Sequence, residues 1–538
     1  MEVSYLKEGQ LVRSANPLDL DIDVKTPEPN RVQVTVKAKE DVVLQEVREL
    51  APFKPRKGQE VFFNGYQSWT DSREVPLTSK EKNITKSPQF VVRAFEMDRY
   101  GDSPFYQYAK HILHGYDVCY SKGENGFFVY NKNYKNAYLI FEYNKKERSL
   151  TLISDVKGIK VKKGEEVVVM DYLYAPSYEE GLAEFNKEFP KRNLKKLFGY
   201  TSWYNYYQDI NEQIILRDLE GIDNRFNLFQ IDDGFETFVG DWFDIDPKKF
   251  PNGLKPIVDK IHSKKLLAGV WLAPFVVEKE SKVFKERPDW ILKDKDGNPV
   301  CAGGNWSHQY SLDLENPEVV DYIKRFLNYY MELGFDLYKL DFLYGSAIQV
   351  PEGYSRCQYQ YKAYKLLKDT LKGKIILGCG ANLVNSIGNF DYLRVGMDAS
   401  LSWDDKLYMR FFHRERPSSK ATLQNTIYRS FMNDRLFGND PDVFLLRDDN
   451  IQMNEKQKHA LAIINSLFSG VLMTSDDIGT YDAKKQEQLN VVLNNFLHAT
   501  NQGFRKVGNR VEIFYEIDGE KKNYLYDYKK GVLTDGQK

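Results

Sequence analysis

Between residues 197 and 475, short and nearly continuous apolar runs alternate with segments of helical period, a grammar that leaves few folds open. Its clearest unit starts at Asn316-Pro317, an N-cap followed by proline at the first helical position. Val319, Ile323, Phe326, Leu327 and Tyr330 then share one helical face. Gly334 supplies the left-handed residue that ends the helix, and the chain enters the apolar run Phe335–Leu343. The unit recurs. Leu254, Ile257, Val258 and Ile261 lead into Leu266–Pro274, and Leu366, Leu367 and Leu371 lead through Gly373 into Ile375–Gly380. Strands that are apolar throughout must be covered on both faces, which is the condition of a parallel sheet under helices. Roughly six to eight such units predict a (β/α)8 barrel. A doubly wound sheet is the alternative, but no Gly-rich dinucleotide turn supports it.

The flanks follow a different period. Val32, Val34, Val36 and Ala38 alternate along one strand, and Tyr138–Tyr143 and Ser149–Ile153 bracket the polar turn Asn144–Glu147. Near the C-terminus Val511, Ile513, Tyr515 and Ile517 precede Asp518-Gly519, a hairpin signal, with Asn523–Tyr528 as the return strand. A chain of 538 residues exceeds one hydrophobic core. The expected layout is a multidomain α/β protein: an N-terminal antiparallel β-sandwich over 1–195, a central barrel over 196–475 and a small C-terminal antiparallel β domain over 476–538.

Lys and Arg (76) nearly balance Asp and Glu (77), so no basic excess points to nucleic acid. The longest apolar run, Leu266 to Val277, is too short to span a bilayer, and MEVSYLKEGQLVRS lacks the apolar core of a leader. A cytoplasmic enzyme without membrane partners is expected. Cys119, Cys301, Cys357 and Cys379 have neither disulfide-framework nor zinc spacing. His111 and His114 lie in the first β region and His262 on a helix; none of the seven histidines falls at a predicted barrel-strand end, so no metal and no cofactor are expected there.

Catalytic groups of such a barrel project from the C-terminal ends of its strands. Here Phe229–Ile231 ends in Asp232-Asp233, Ala268–Leu272 carries Trp271, and Leu337–Leu340 carries Lys339 and ends in Asp341. Ile375–Leu377 leads to Cys379, while Leu393–Met397 contains Arg394 and ends in Asp398. Carboxylates from three strands suit acid/base or glycosidic chemistry, in which environment separates an ionised carboxylate from a protonated one. Lys339 shares a strand face with Asp341 and is expected to hold it ionised. Arg394 is expected to contact substrate rather than Asp398, whose pKa a close guanidinium would depress. From these residues alone, several hydrolases or lyases remain open.

The segments NGYQSW (Asn64–Trp69), SWYNYYQDI (Ser202–Ile210), QIDDGFETFVGDW (Gln230–Trp242), GVWLAPF (Gly269–Phe275), YKLDFLYG (Tyr338–Gly345), LGCGANL (Leu377–Leu383) and RVGMD (Arg394–Asp398) narrow the choice. Together with FMNDRLFGNDPD (Phe431–Asp442), their order and spacing resemble the α-galactosidases of glycoside hydrolase family 36, above all the compact subgroup from thermophiles. The resemblance implies a retaining hydrolase acting on terminal α-galactose of oligosaccharides such as melibiose and raffinose, with Asp341 as nucleophile and Asp398 as acid/base. It implies that Asp232 and Asp233 bind the galactose 4- and 6-hydroxyls and that Lys339 and Arg394 bind the ring. Trp271 would form an aromatic wall, Trp69 would close the site from the N-terminal domain, and Cys379 would line it. Trp203, Asp241 and Trp242 lie in matching motifs, either as structural supports or as site residues. A galactosyl transglycosylase, an α-N-acetylgalactosaminidase and an α-glucosidase share these features, and a homo-oligomer is compatible with them.

Overall fold

The computed structural model describes residues 1–56, 58–404 and 407–536. The N-terminal region consists of two seven-stranded antiparallel sheets. Alternation in Arg31–Ala38 sends Val34, Val36 and Ala38 inward, where they meet Leu44, Val47, Phe141 and Leu152. The hairpin of Tyr138–Asn144 with Ser149–Asp155 forms in the register Tyr143↔Leu150. Helix Tyr178–Glu188 then carries the chain to the second architecture.

That architecture is a curled sheet of nine parallel strands. Leu197–Thr201, Leu228–Ile231, Leu267–Leu272, Leu337–Leu340, Ile375–Gly378 and Tyr392–Arg394 lie side by side in chain order. Gly438–Asp440 pairs with Tyr392–Arg394 at one edge; Val443–Phe444 forms the other edge, beside Val471–Thr474, which pairs with Leu197–Thr201. Only Pro441 and Asp442 separate the two edge strands along the chain. Helices cover the outside. Pro317–Leu333 starts where Asn316 accepts the Glu318 N–H and stops at Gly334, whose φ is +102°. It buries Val319, Tyr322, Ile323, Phe326, Leu327 and Tyr330 against the sheet, each apolar side chain contributing about 1.5–3 kcal/mol.

Two segments depart from the expected pattern. No α-helix joins Ile375–Gly378 to Tyr392–Arg394; a 3-10 turn at Val384–Ser386 takes its place. Local bonds compete there with a helix, since Asn382 accepts the Asn385 N–H and the Ser386 hydroxyl donates to the Asn382 carbonyl. The segment also turns at Gly380 and Gly388, both left-handed. After Val471–Thr474 comes not a strand but the helix Ala483–His498, capped by Asp482 and striped by Leu489, Val492 and Phe496. The final four-stranded antiparallel sheet starts at Thr500. Its central hairpin turns at Asp518 (φ 52°) and Gly519 (φ 79°), the double positive φ of a type I′ turn. No helix among the described residues is long and apolar enough to cross a membrane.

Candidate active site

Asp341 directly follows the strand Leu337–Leu340 and is 7% exposed. Its Oδ1 accepts the Phe342 N–H at 2.7 Å and its Oδ2 accepts the Trp271 indole N–H at 3.1 Å. The left-handed backbone of Phe342 (φ 51°) turns the chain sharply away after this carboxylate. The expected pairing of Lys339 with Asp341 is replaced by another. Lys339 Nζ lies 2.7 Å from Asp232 Oδ2, which also accepts from Gln230 (2.7 Å) and Thr201 (3.2 Å). The long lysine side chain reaches past Leu267–Leu272 to the end of Leu228–Ile231, two strands away, instead of turning back on its own strand. Burial alone would lower the Lys339 pKa, but the charges of Asp232 and Asp341 outweigh it and hold the ammonium charged.

Arg394 also differs from expectation. It ends its strand at Tyr392–Arg394, and its Nη1 pairs with Asp398 Oδ1 at 2.7 Å. The same guanidinium bonds Asp440 Oδ2 through Nε at 2.8 Å and lies 3.0 Å from Asp442 Oδ1. One cation is thereby divided among three carboxylates, which weakens its hold on each. Burial and the nearby Asp341 charge raise the Asp398 pKa above its ordinary value even with Arg394 opposing them. Asp398 lies beyond the strand, in a loop held by the Ala399 N–H to Asp442 (2.7 Å) and by the Ser418 N–H to the Asp398 carbonyl (2.9 Å). Its side chain keeps 38% of its surface exposed, against 0% for Asp440 and Asp442. Burial raises the Asp442 pKa to about 7, and the Tyr204 hydroxyl donates to that carboxylate.

Asp233 accepts the Trp306 indole N–H at 2.9 Å and the Gln208 amide at 3.2 Å. Burial raises its pKa, and Glu236, a buried neighbour, is pushed far higher by burial and by the Asp233 charge. Burial and the Asp233 charge thus disfavour the ionised form of Glu236 more than that of Asp233. Sequence reasoning singled out none of Trp306, Gln208 and Glu236. Gln208 and Glu236 do lie inside recognised motifs, whereas Trp306 follows no strand end and has no local signal.

Trp69 arrives from the N-terminal region. Its ring packs edge-on against Phe342 (5.4 Å between centroids) and Tyr344 (5.7 Å). A Cβ at Gly380 would meet it at 3.1 Å, so this left-handed glycine is what lets the ring lie over the strand end. The indole N–H of Trp69 has no acceptor among the described residues. Ser68 bonds Ala381 in both directions, and Asn382 donates to the Tyr66 carbonyl. Fully buried Arg429 donates to the carbonyls of Ser68 and Val395, both at 2.7 Å, and to Asn64 and Ser72. These bonds set the segment 64–72 on the ends of the parallel strands. Cys379 is buried within the electrostatic reach of Asp341, Arg394 and Asp398, and burial keeps it a thiol.

Trp271 and Trp242 stack edge to face at 5.9 Å, and Trp242 is wholly buried behind the site. Asp241 caps the helix Lys282–Glu286 by accepting the Lys282 and Val283 N–H groups. Trp203 packs edge-on against Tyr207. The nine residues expected at the site thus gather at the C-terminal ends of the parallel strands, with Trp69 reaching them from outside the sheet. Two carboxylates of different environment converge there, together with a row of buried polar and aromatic groups, an arrangement chemically able to transfer a proton and to supply a carboxylate nucleophile.

Residues 189–348 match the melibiase family. An α-galactosidase of Escherichia coli is 28% identical over 239 residues, which are 40% of this chain and 32% of that protein. The chain thus aligns with about a third of the length of this curated relative. An α-galactosidase from Thermus thermophilus, solved with p-nitrophenyl α-D-galactopyranoside, superposes with a TM-score of 0.71 at 26% identity, covering 95% of this chain and 97% of that one. A family 36 α-galactosidase from Geobacillus stearothermophilus shares the fold at a TM-score of 0.60 and 10% identity, over 92% of this chain and 71% of that one.

Proposed function

We infer that this chain, a member of glycoside hydrolase family 36, is an α-galactosidase that releases terminal α-linked galactose with retention of configuration. The observation that carries the reading is the unequal pair Asp341 and Asp398. Asp341 is fixed by two N–H donors, while Asp398 is partly open and has a raised pKa despite its arginine. In the first step Asp341 attacks the anomeric carbon as Asp398 protonates the departing oxygen. In the second, Asp398 takes a proton from the water that breaks the galactosyl ester. Trp271 holds the nucleophile through Oδ2 and leaves Oδ1 with a single backbone bond.

Recognition of galactose is assigned to Asp232, Asp233 and Lys339 for the 4- and 6-hydroxyls, with Trp271 as a wall, Trp69 above the ring and Cys379 beside it. The arrangement favours a sugar whose hydroxyls fill the acceptor positions that the protein donors leave open on both buried aspartates. Arg394 acts on Asp398 as a positioning residue. We read the nine-stranded sheet as a (β/α)8 barrel whose seventh strand is split at Pro441-Asp442, with a sandwich before it and a small β domain after it. The small-molecule substrates are oligosaccharides with a terminal α-galactose.

The test is hydrolysis of nitrophenyl α-galactoside by Asp341→Gly in azide. The variant is expected to lose turnover and to regain it with azide, forming β-galactosyl azide from the vacated face. An Asp341→Gly variant as active as wild type would overturn the assignment.

A further inference from the structure

Away from this site, Glu96, Cys301 and His308 each present one ligand atom, and the three atoms lie within 4.8 Å of one another. We propose that these three side chains form a binding site for a zinc-class divalent cation, which clips the turn at Glu96 to the loop that delivers Trp306 to Asp233. Carboxylate oxygen, thiolate sulfur and imidazole nitrogen are the donors such a borderline-soft ion selects, whereas calcium and magnesium call for oxygen cages. Ligand atoms of a tetrahedral zinc set stand roughly 3.4 Å apart, so closing on the ion takes only small side-chain rotations. All three residues are half-buried, within reach of a cation from solvent, and three protein ligands leave a fourth position for water.

The surroundings are already ordered for this role. Arg99 Nε holds Glu96 Oε2 at 3.2 Å and leaves Oε1 for an ion. Tyr100 accepts the Gly304 N–H at 2.9 Å and donates to Asn305, so the two segments are docked before a cation arrives. Cys301 begins the strand Cys301–Gly303 and His308 directly precedes Gln309–Ser311, the strand paired with it. Between them Trp306 turns inward to Asp233 at 2.9 Å. On binding, the Cys301 thiol releases its proton to solvent and the sulfur donates to the ion. The spacing rules that exclude a zinc motif in the sequence cannot detect this group, because Glu96 comes from a distant part of the chain.

The full chain, stripped with chelator and reloaded, is expected to retain one equivalent of zinc, with C301S and H308A losing it. E96Q, at a half-exposed turn, serves if either of those fails to fold. With cobalt, the wild type should show a near-ultraviolet thiolate-to-metal charge-transfer band that C301S lacks. Hydrogen exchange in residues 300–308 should slow with zinc in the wild type only. Cobalt binding without the thiolate band, or zinc retention by C301S equal to wild type, overturns the site; exchange that zinc leaves unchanged overturns the clip.

Discussion

Replacing Arg394 with Met removes the cation that three carboxylates share, and its effect on Asp398 can be worked out. The Arg394 Nη1–Asp398 Oδ1 distance is 2.7 Å, which places the charge centres about 4 Å apart; at an effective dielectric near 20 that is worth about 4 kcal/mol. The guanidinium is divided with Asp440 and Asp442, and 38% of the Asp398 side chain faces solvent. Sharing and screening reduce the term to about 1.5–3 kcal/mol, or roughly one to two pKa units. Loss of a cation disfavours the charged carboxylate, so the Asp398 pKa rises further. Because the proposed first step needs Asp398 protonated, the alkaline limb of kcat/KM against pH should move up by roughly one to two units. Asp440 and Asp442 also lose their partner, at a cost of about 3–5 kcal/mol; Asp442, with a pKa already near 7, limits that loss by taking up a proton. Arg394→Lys restores a cation and should return the limb most of the way. The assay is a pH series with nitrophenyl α-galactoside at a temperature where circular dichroism shows each variant folded. A folded Arg394→Met variant whose alkaline limb stays put or moves down would refute this reasoning.

Glu236 should tolerate Gln, which keeps a neutral donor toward Asp233, with KM changing less than about threefold; Ala should raise KM about tenfold by removing the worth of one charge-assisted bond. Steady-state kinetics decide it, and an alanine variant with unaltered KM would show that Asp233 needs no such donor. His114 makes a prediction about stability. Wholly buried, it lies 2.8 Å from Glu81 and 2.6 Å from Asp102; burial lowers its pKa, but the two carboxylates overcome this and raise it to about 9. The folded value exceeds the unfolded value near 6.5, so the stabilisation is complete below pH 6.5 and is lost as pH rises through 9. Urea titrations should show a fall of roughly 3 kcal/mol across that window, absent in His114→Gln; an equal slope in both proteins would assign it to other groups.

Much of this architecture is legible in the chain because its signals are local. Asn316-Pro317 and Gly334 bound their helix as capping rules require, and Asp518-Gly519 forms its hairpin turn. Asp232 and Asp341 follow their strands because an apolar run interrupted by a carboxylate marks a strand end directly. Side-chain reach is less visible. Lys339 lies two residues from Asp341 yet bonds to Asp232 across the sheet, and Arg394 serves Asp398 because Asp440 and Asp442 return from much later in the chain to dilute its charge. Trp306 left no trace at all, since only the tertiary path of its loop brings it to Asp233. The helix Ala483–His498 carries a legible signal of its own, since Leu489, Val492 and Phe496 recur at helical spacing between the last parallel strand and the C-terminal hairpin.

The division of labour proposed for Asp341 and Asp398 requires that the anomeric carbon invert twice. Proton NMR of the first galactose released from an α-galactoside, recorded before mutarotation, reads that outcome directly. The α anomer as first product is predicted; the β anomer would mean a single displacement by water and would contradict a covalent role for Asp341.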